Sequence, residues 1–123
     1  MHTVGLLVYP GFQPLGLAVG AVFEYANLTH GERTYDFEVV SETGGAVLSS
    51  QGFSINTSAM HGRGFDTLIV AGDNECRLPS PAVMQFVREA RGYARRIASI
   101  CTGAFVLAEA GLLRGRRATT HWY

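Results

Sequence analysis

The chain carries its most informative pattern in residues 95–121, which read RRIASICTGAFVLAEAGLLRGRRATTH. Residues 97–100 have the apolar character of a short buried strand, and residues 104–110 have that of a helix. Cys101 and Thr102 are therefore predicted to form a sharp turn between the two elements. A nucleophile elbow has this order of strand, turn and helix, and its turn lifts a nucleophilic side chain above the sheet.

Cys101 is the candidate nucleophile or reactive thiol of this turn. The partial positive charge at the start of a helix favours a thiolate over a thiol. The backbone N–H groups of Thr102 and Gly72 are candidate oxyanion donors, because Gly72 ends another apolar run. The alternative interpretation is that Cys101 is a small buried apolar residue, which is the usual role of a cysteine in a reducing compartment.

Apolar periodicity predicts alternating strands and helices along the rest of the chain. The predicted strands are residues 3–9, 35–41, 66–71, 97–100 and 117–120. The predicted helices are residues 14–27, 80–92 and 104–110, and the apolar face of the first is expected to lie in the core. Two short segments, residues 46–48 and 53–55, are predicted to pair as a hairpin.

This alternation predicts an α/β fold, a flavodoxin-like three-layer sandwich with a mainly parallel sheet covered by helices on both faces. Ligands of such sheets bind beyond the carboxyl ends of the strands. The residues predicted to bind a ligand at this edge are Gly11, Gly72, Asp73, Cys101, Thr102 and His121. His121 is also a candidate proton carrier, although a single histidine is more often structural.

Composition limits the possible functions. The 123 residues suit a single domain, and ten arginines balance ten acidic residues, which predicts no overall attraction to nucleic acid or to an anionic membrane. Residues 1–76 hold two arginines and eight acids, whereas residues 77–123 hold eight arginines and two acids. This asymmetry indicates either ordinary solvated helix faces or a basic surface for a partner.

We expect a cytoplasmic protein without a metal site or a cofactor. No apolar run approaches the roughly 20 residues needed to span a bilayer, and no signal peptide precedes the first strand. Cys76 and Cys101 are far apart in sequence and have neither disulfide-framework nor zinc-site spacing.

Residues 99–113 and 115–122 closely resemble the ThiJ/PfpI (class I glutamine amidotransferase-like) superfamily. The resemblance extends over nearly the whole chain through YPGFQPL at residues 9–15 and FDTLIVAG at residues 65–72. Within the superfamily, the chain is most similar to the N-terminal domain of AraC-type transcriptional regulators, and isonitrile hydratases are near neighbours.

The resemblance also implies which functional residues are replaced. Related proteins carry a Gly-Gly pair where this chain has Gly72 and Asp73, and isonitrile-hydratase-like relatives carry an acid where it has Gly16. Glu24 is too far along the predicted helix to take the place of that acid. ThiJ/PfpI proteases place a histidine after the cysteine, where this chain has Thr102.

These replacements favour a non-catalytic domain of an AraC-family regulator that senses a small-molecule effector and forms a homodimer. Because the superfamily domain normally continues further, residues 1–123 are expected to be a C-terminally truncated domain that meets DNA only through a helix-turn-helix module outside this chain. The alternative is a cysteine-dependent isonitrile hydratase or amidohydrolase-like enzyme. A third possibility is a stress protein in which Cys101 is oxidised reversibly.

Overall fold

A computed structural model describes residues 1–118 of the chain. It contains six strands, which are β1 (His2–Leu7), β2 (Tyr35–Ser41), β3 (Gly45–Leu48), β4 (Ser54–Ala59), β5 (Thr67–Val70) and β6 (Arg96–Ser99). The helices are a 3-10 helix (Pro14–Leu17), α1 (Ala18–His30), α2 (Pro81–Ala90) and α3 (Gly103–Glu109). Within residues 1–118, no helix has both the length and the apolar character needed to cross a membrane.

The six strands form one sheet in the order β3-β4-β2-β1-β5-β6. All neighbouring strands are parallel except β3 and β4, which pair antiparallel as the predicted hairpin. The predicted α/β class and mainly parallel sheet are therefore confirmed. Of the last predicted strand, residues 117 and 118 are not in a strand, and the remaining residues lie outside the described part of the chain.

Strand β1 lies at the centre of the sheet, and its side chains alternate between two apolar clusters. Leu7 and Tyr9 belong to one cluster, whereas Leu6 and Val8 belong to the other, and all four are buried. A continuous apolar run is required here because a central parallel strand is covered on both faces.

Helices α2 and α3 cover the face that contains Leu7. The hydroxyl of Ser80 accepts a hydrogen bond from the Val83 N–H at 3.3 Å, and Pro81 occupies the first turn, as the sequence predicts for the start of α2. Val87 and Val106 are among the helix residues buried in this cluster.

Helix α1 covers the opposite face only in part. As predicted, its apolar residues Val19 and Phe23 pack against the core on that face. None of its 13 residues is buried. The ring of Phe23 packs against Tyr35, with centroids 5.1 Å apart, and against Phe37 at 5.8 Å. Val22 and Tyr25 remain exposed because both other helices lie on the far side of the sheet.

Helix α3 begins unusually close to the backbone of β5. A Cβ atom built on Gly103 would lie 2.4 Å from the Val70 carbonyl oxygen and 3.0 Å from that of Ala71. Only glycine fits at this contact, because neither carbonyl is free to move out of the sheet. Helix α3 can therefore lie this close to β5 only because residue 103 is a glycine and has no Cβ atom.

We predict that Gly103→Ala lowers the free energy of unfolding by about 1–3 kcal/mol, the usual cost of overpacking. Urea unfolding measures the change. Gly92→Ala is the matched control, since a Cβ there would lie 3.5 Å from its nearest neighbour, the Glu89 carbonyl oxygen. Equal unfolding midpoints for the two variants would contradict the close approach.

Candidate functional site

The sharp turn expected between strand and helix is present at Cys101. Its φ angle is +52°, in the left-handed region that a non-glycine residue seldom adopts. The Ile100 N–H donates to the Val70 carbonyl at 3.0 Å before the turn, and the Gly103 N–H donates to the Ile100 carbonyl at 2.9 Å across it. The backbone of Cys101 is thus held in a conformation that costs on the order of 1–3 kcal/mol.

Thr102 ties this turn to the loop that follows β5. Its hydroxyl, 2% exposed with the rest of the residue, donates to the Asp73 carbonyl at 2.6 Å and accepts from the Asp73 N–H at 2.8 Å. Thr102 is also the residue that precedes α3, yet its hydroxyl makes no capping bond to that helix. The Thr102 hydroxyl thus donates one hydrogen bond to the Asp73 backbone and accepts one from it. We call this pair of hydrogen bonds the Thr102–Asp73 clamp.

Gly72 allows the clamped segments to approach each other. A Cβ atom at Gly72 would lie 2.8 Å from the Thr102 nitrogen and 3.0 Å from the Cys101 Cβ. The Gly72 carbonyl accepts a hydrogen bond from the Gln13 N–H at 2.8 Å. The loops after β1 and β5 thus meet the turn at Cys101.

A cleft of about 130 Å³ lies where these three segments meet. It is lined by Gln13, Leu15, Gly16, Gly72, Asn74, Ile100, Cys101 and Thr102. The sequence predicted three of these residues to bind ligand, namely Gly72, Cys101 and Thr102. Gln13 and Asn74 were missed, although both lie in loops that follow buried strands and carry side chains able to donate and accept hydrogen bonds.

Among the described residues that line this cleft, none carries a charged side chain. Gly16 stands at the position where the resemblance places an acid in related enzymes. A Cβ atom there would lie 3.5 Å from the Ile100 Cδ1, which is an ordinary contact, so the backbone at this position does not itself require glycine. Glu24 lines a different surface, beside α1.

Gly11 and Asp73 are not among the residues that line the cleft. The Asp73 carboxylate is buried and accepts from the Glu75 N–H at 2.8 Å and from the Arg77 Nε at 3.1 Å. The Gly11 N–H donates to the Leu48 carbonyl at 2.9 Å. Both residues thus support the loops around the cleft, and a ligand-binding role for them stays a prediction. His121 lies outside the described residues.

Tyr9 lies buried below these loops, where its hydroxyl donates to the Ala71 carbonyl at 2.8 Å. Burial raises the pKa of the Tyr9 phenol well above its ordinary value, and the negative charges of Asp73, Cys76 and Cys101 raise it further. Tyr9 therefore stays protonated in the folded protein and holds the end of β5 from beneath.

Comparison with known proteins places the chain among close relatives. A model of the DJ-1/PfpI family matches residues 4–123. The chain is 42% identical to the protein in the cpoL 5' region of Streptomyces lividans, over 98% of this chain and 88% of that protein. It is 40% identical to the HTH-type transcriptional regulator CdhR of Pseudomonas aeruginosa, over 94% of this chain and 35% of the regulator.

Two further similarities are more limited. Isonitrile hydratase of Pseudomonas putida is 54% identical, but only over 39 residues, which are 32% of this chain and 17% of that enzyme. A ThiJ/PfpI family protein from Pseudomonas syringae has the same fold, with a TM-score of 0.80 and 26% identity over 98% of this chain. The chain spans about a third of CdhR and half of the P. syringae protein.

We predict that Tyr9 makes stability fall as the pH rises above about 10, where an unfolded tyrosine loses its proton. The folded state keeps that proton, so its contribution is complete below this pH and is lost progressively above it. Tyr9→Phe should cost about 1–3 kcal/mol at pH 8, because the Ala71 carbonyl loses its partner, and should weaken the dependence on pH. The measurement is the urea unfolding free energy at several pH values.

The wild type, measured in the same buffers, is the reference at every pH. If Tyr9→Phe and the wild type lose stability with the same slope above pH 10, the assignment to Tyr9 is wrong.

Proposed function

The chain belongs to the DJ-1/PfpI family, and from this we propose that it is the small-molecule-sensing domain of an AraC-type transcriptional regulator that binds its effector without catalytic turnover. Its homologues include several HTH-type transcriptional regulators. In this proposal the regulator acts in the cytoplasm, and a separate helix-turn-helix module, outside the 123 residues, contacts DNA.

The glycine at position 16 carries this proposal, because it lines the cleft together with Cys101 where the resemblance implies an acid in related enzymes. A cysteine enzyme that hydrates or hydrolyses its substrate needs a group to deliver or remove a proton within hydrogen-bonding distance. Gly16 offers no such group, and the side-chain amides of Gln13 and Asn74 are too weakly acidic and too weakly basic to act as general acids or bases near neutral pH. The side-chain amides of Gln13 and Asn74 can both donate and accept hydrogen bonds, which suits the cleft to binding a polar ligand.

The cleft also limits the kind of effector. Its volume of about 130 Å³ corresponds to roughly four water molecules at about 30 Å³ each. Its polar groups are the side-chain amides of Gln13 and Asn74 and the backbone at Gly72. We therefore expect a small neutral molecule, or the small neutral end of a larger one, with hydrogen-bonding groups of its own.

A cysteine-dependent isonitrile hydratase is the second candidate, and the local identity to the P. putida enzyme favours it. That function needs a proton carrier to replace the acid missing at Gly16. The two candidates make opposite predictions for the same assay.

We predict no turnover of cyclohexyl isonitrile or of acetamide above the background of Cys101→Ser, measured by chromatography of the products. The physical reason is that no proton can be delivered at the Gly16 side of the cleft. Turnover by the wild type that disappears in Cys101→Ser would overturn the sensor proposal and support the enzyme.

Binding is tested in the same samples by alkylation with iodoacetamide, followed by mass spectrometry. Acetamide should slow the alkylation of Cys101 and leave that of Cys76 unchanged, which makes Cys76 the internal control. Gly16→Asp should slow the alkylation of Cys101 at pH 7 without acetamide, because a carboxylate in the cleft opposes a thiolate. Equal protection of both cysteines would count against a binding site at Cys101.

Dimerisation is the other part of the proposal, and the exposed side of α1 supports it. Val22, Tyr25 and Leu28 lie three residues apart and are 64%, 64% and 68% exposed. Apolar side chains that lie together on a surface usually mark an interface. A second copy of the chain would bury this stripe and complete the layer that α1 covers only in part.

We predict a mass of twice 13.3 kDa for the wild type by sedimentation equilibrium, and a monomer for the double variant Val22→Asp and Leu28→Asp. The charges oppose burial of the stripe. The control is the double variant Leu48→Asp and Leu78→Asp, whose residues are also half exposed but lie away from α1. A dimer in all three proteins would place the interface elsewhere.

A further inference from the structure

A second cleft lies at the opposite edge of the sheet from Cys101 and contains four arginines. Its volume is about 620 Å³. It is bounded by the end of α2, the start of β6, the end of α3 and the turn that follows α3. Its four arginines are Arg91, Arg95, Arg114 and Arg116. We call it the arginine cleft.

The arginine cleft carries an excess of positive charge within residues 1–118. The acid that faces it is Asp66, whose pKa is lowered mainly by hydrogen bonds from Thr3 and in smaller part by the charges of His2 and Arg95. None of the four arginines of the cleft forms a salt bridge within residues 1–118, and no acidic residue lines it. The two acids of the C-terminal part, Glu89 and Glu109, lie outside its lining, and Glu89 accepts instead from the Gln85 amide. Four of the eight arginines in residues 77–123 thus line this cleft.

The helix ends at this edge do not cancel the charge either. The carboxyl ends of α2 and α3 each contribute a partial negative charge of about half a unit. Four guanidinium groups outweigh that contribution several-fold. The net field inside the arginine cleft therefore attracts anions.

The floor of the arginine cleft is apolar. Leu107 is 4% exposed, and Ile97, Leu112 and Leu113 are partly buried hydrophobic residues packed against the main core. A bare inorganic ion would leave this apolar surface in contact with water. A ligand with an apolar body would cover it and gain from its burial.

From these features we propose that the arginine cleft binds an organic phosphate, a dianionic phosphate ester on an aromatic or aliphatic body. Guanidinium groups bind phosphate through paired, charge-assisted hydrogen bonds, and four of them around one cleft favour a dianion over a monocarboxylate. The site goes beyond the proposed sensing function, because Arg95 precedes β6 whereas Cys101 follows it, at opposite ends of the strand.

The test uses 1-naphthyl phosphate as the probe and isothermal titration calorimetry of the whole chain at low ionic strength. Three comparison compounds separate the parts of the ligand: 1-naphthol lacks the charge, 1-naphthoate carries a single charge, and inorganic phosphate lacks the apolar body. We expect 1-naphthyl phosphate to bind at least about tenfold more tightly than each of them, and its binding to weaken as salt is added.

Two double variants of equal net charge locate the site. Arg95→Gln with Arg114→Gln removes two arginines from the cleft and should weaken binding at least about tenfold, since each contributes charge-assisted hydrogen bonds. Arg33→Gln with Arg88→Gln removes two exposed arginines that do not line it, and should leave binding unchanged within about twofold. Thermal unfolding of both variants checks that they fold.

Three results would overturn the proposal. The first is no saturable binding of 1-naphthyl phosphate by the wild type. The second is an equal loss in both double variants, which would mean that general charge attracts the probe. The third is that a comparison compound binds as tightly as 1-naphthyl phosphate. Equal binding of inorganic phosphate would show that the apolar floor contributes nothing, and equal binding of 1-naphthoate would show that the site does not prefer a dianion.

Discussion

The buried hydroxyl of Thr102 joins the two segments on which the candidate site depends. It both donates to and accepts from the backbone of Asp73, so that the turn at Cys101 and the loop after β5 are fixed at one atom. A buried hydroxyl without partners would be costly, and this one has two. The left-handed backbone of Cys101 and the close approach of Gly72 are tolerated because the clamp holds both in place.

This arrangement places Cys101 at a sharp turn in a cleft whose described lining residues include no aspartate, glutamate, lysine or arginine. The loops that form the cleft are joined by the Thr102–Asp73 clamp, and a Cβ atom at position 16 would make only an ordinary contact with Ile100. Glycine at position 16, where the resemblance implies an acid in related enzymes, therefore alters the chemistry of the cleft more than its shape. A domain of this kind can retain binding after turnover is lost, which is the relationship we propose between this chain and the related enzyme.

Much of the fold could be predicted from the sequence, because apolar periodicity and the residues that begin or end helices and strands are features of short stretches of sequence. Ser80 and Pro81 marked the start of α2, and the apolar run of β1 marked a central strand. The exposure of Val22 could not be predicted, because periodicity shows which face of a helix is apolar but not what covers it. At the site, Cys101 followed from the strand-to-helix pattern. Gln13 and Asn74 did not, because loop residues lack a periodic signal.

The two hydrogen bonds of the Thr102–Asp73 clamp should keep the loop after β5 from opening locally. Amide hydrogen exchange of Asp73, followed by NMR, tests it most directly, because this N–H is bound by the buried hydroxyl. We predict that Asp73 exchanges on the order of a hundredfold more slowly than Asn74, the exposed residue that follows it, and at a rate close to that of global unfolding. Exchange of Asp73 as fast as that of Asn74 would show that the loop opens freely and would contradict the account.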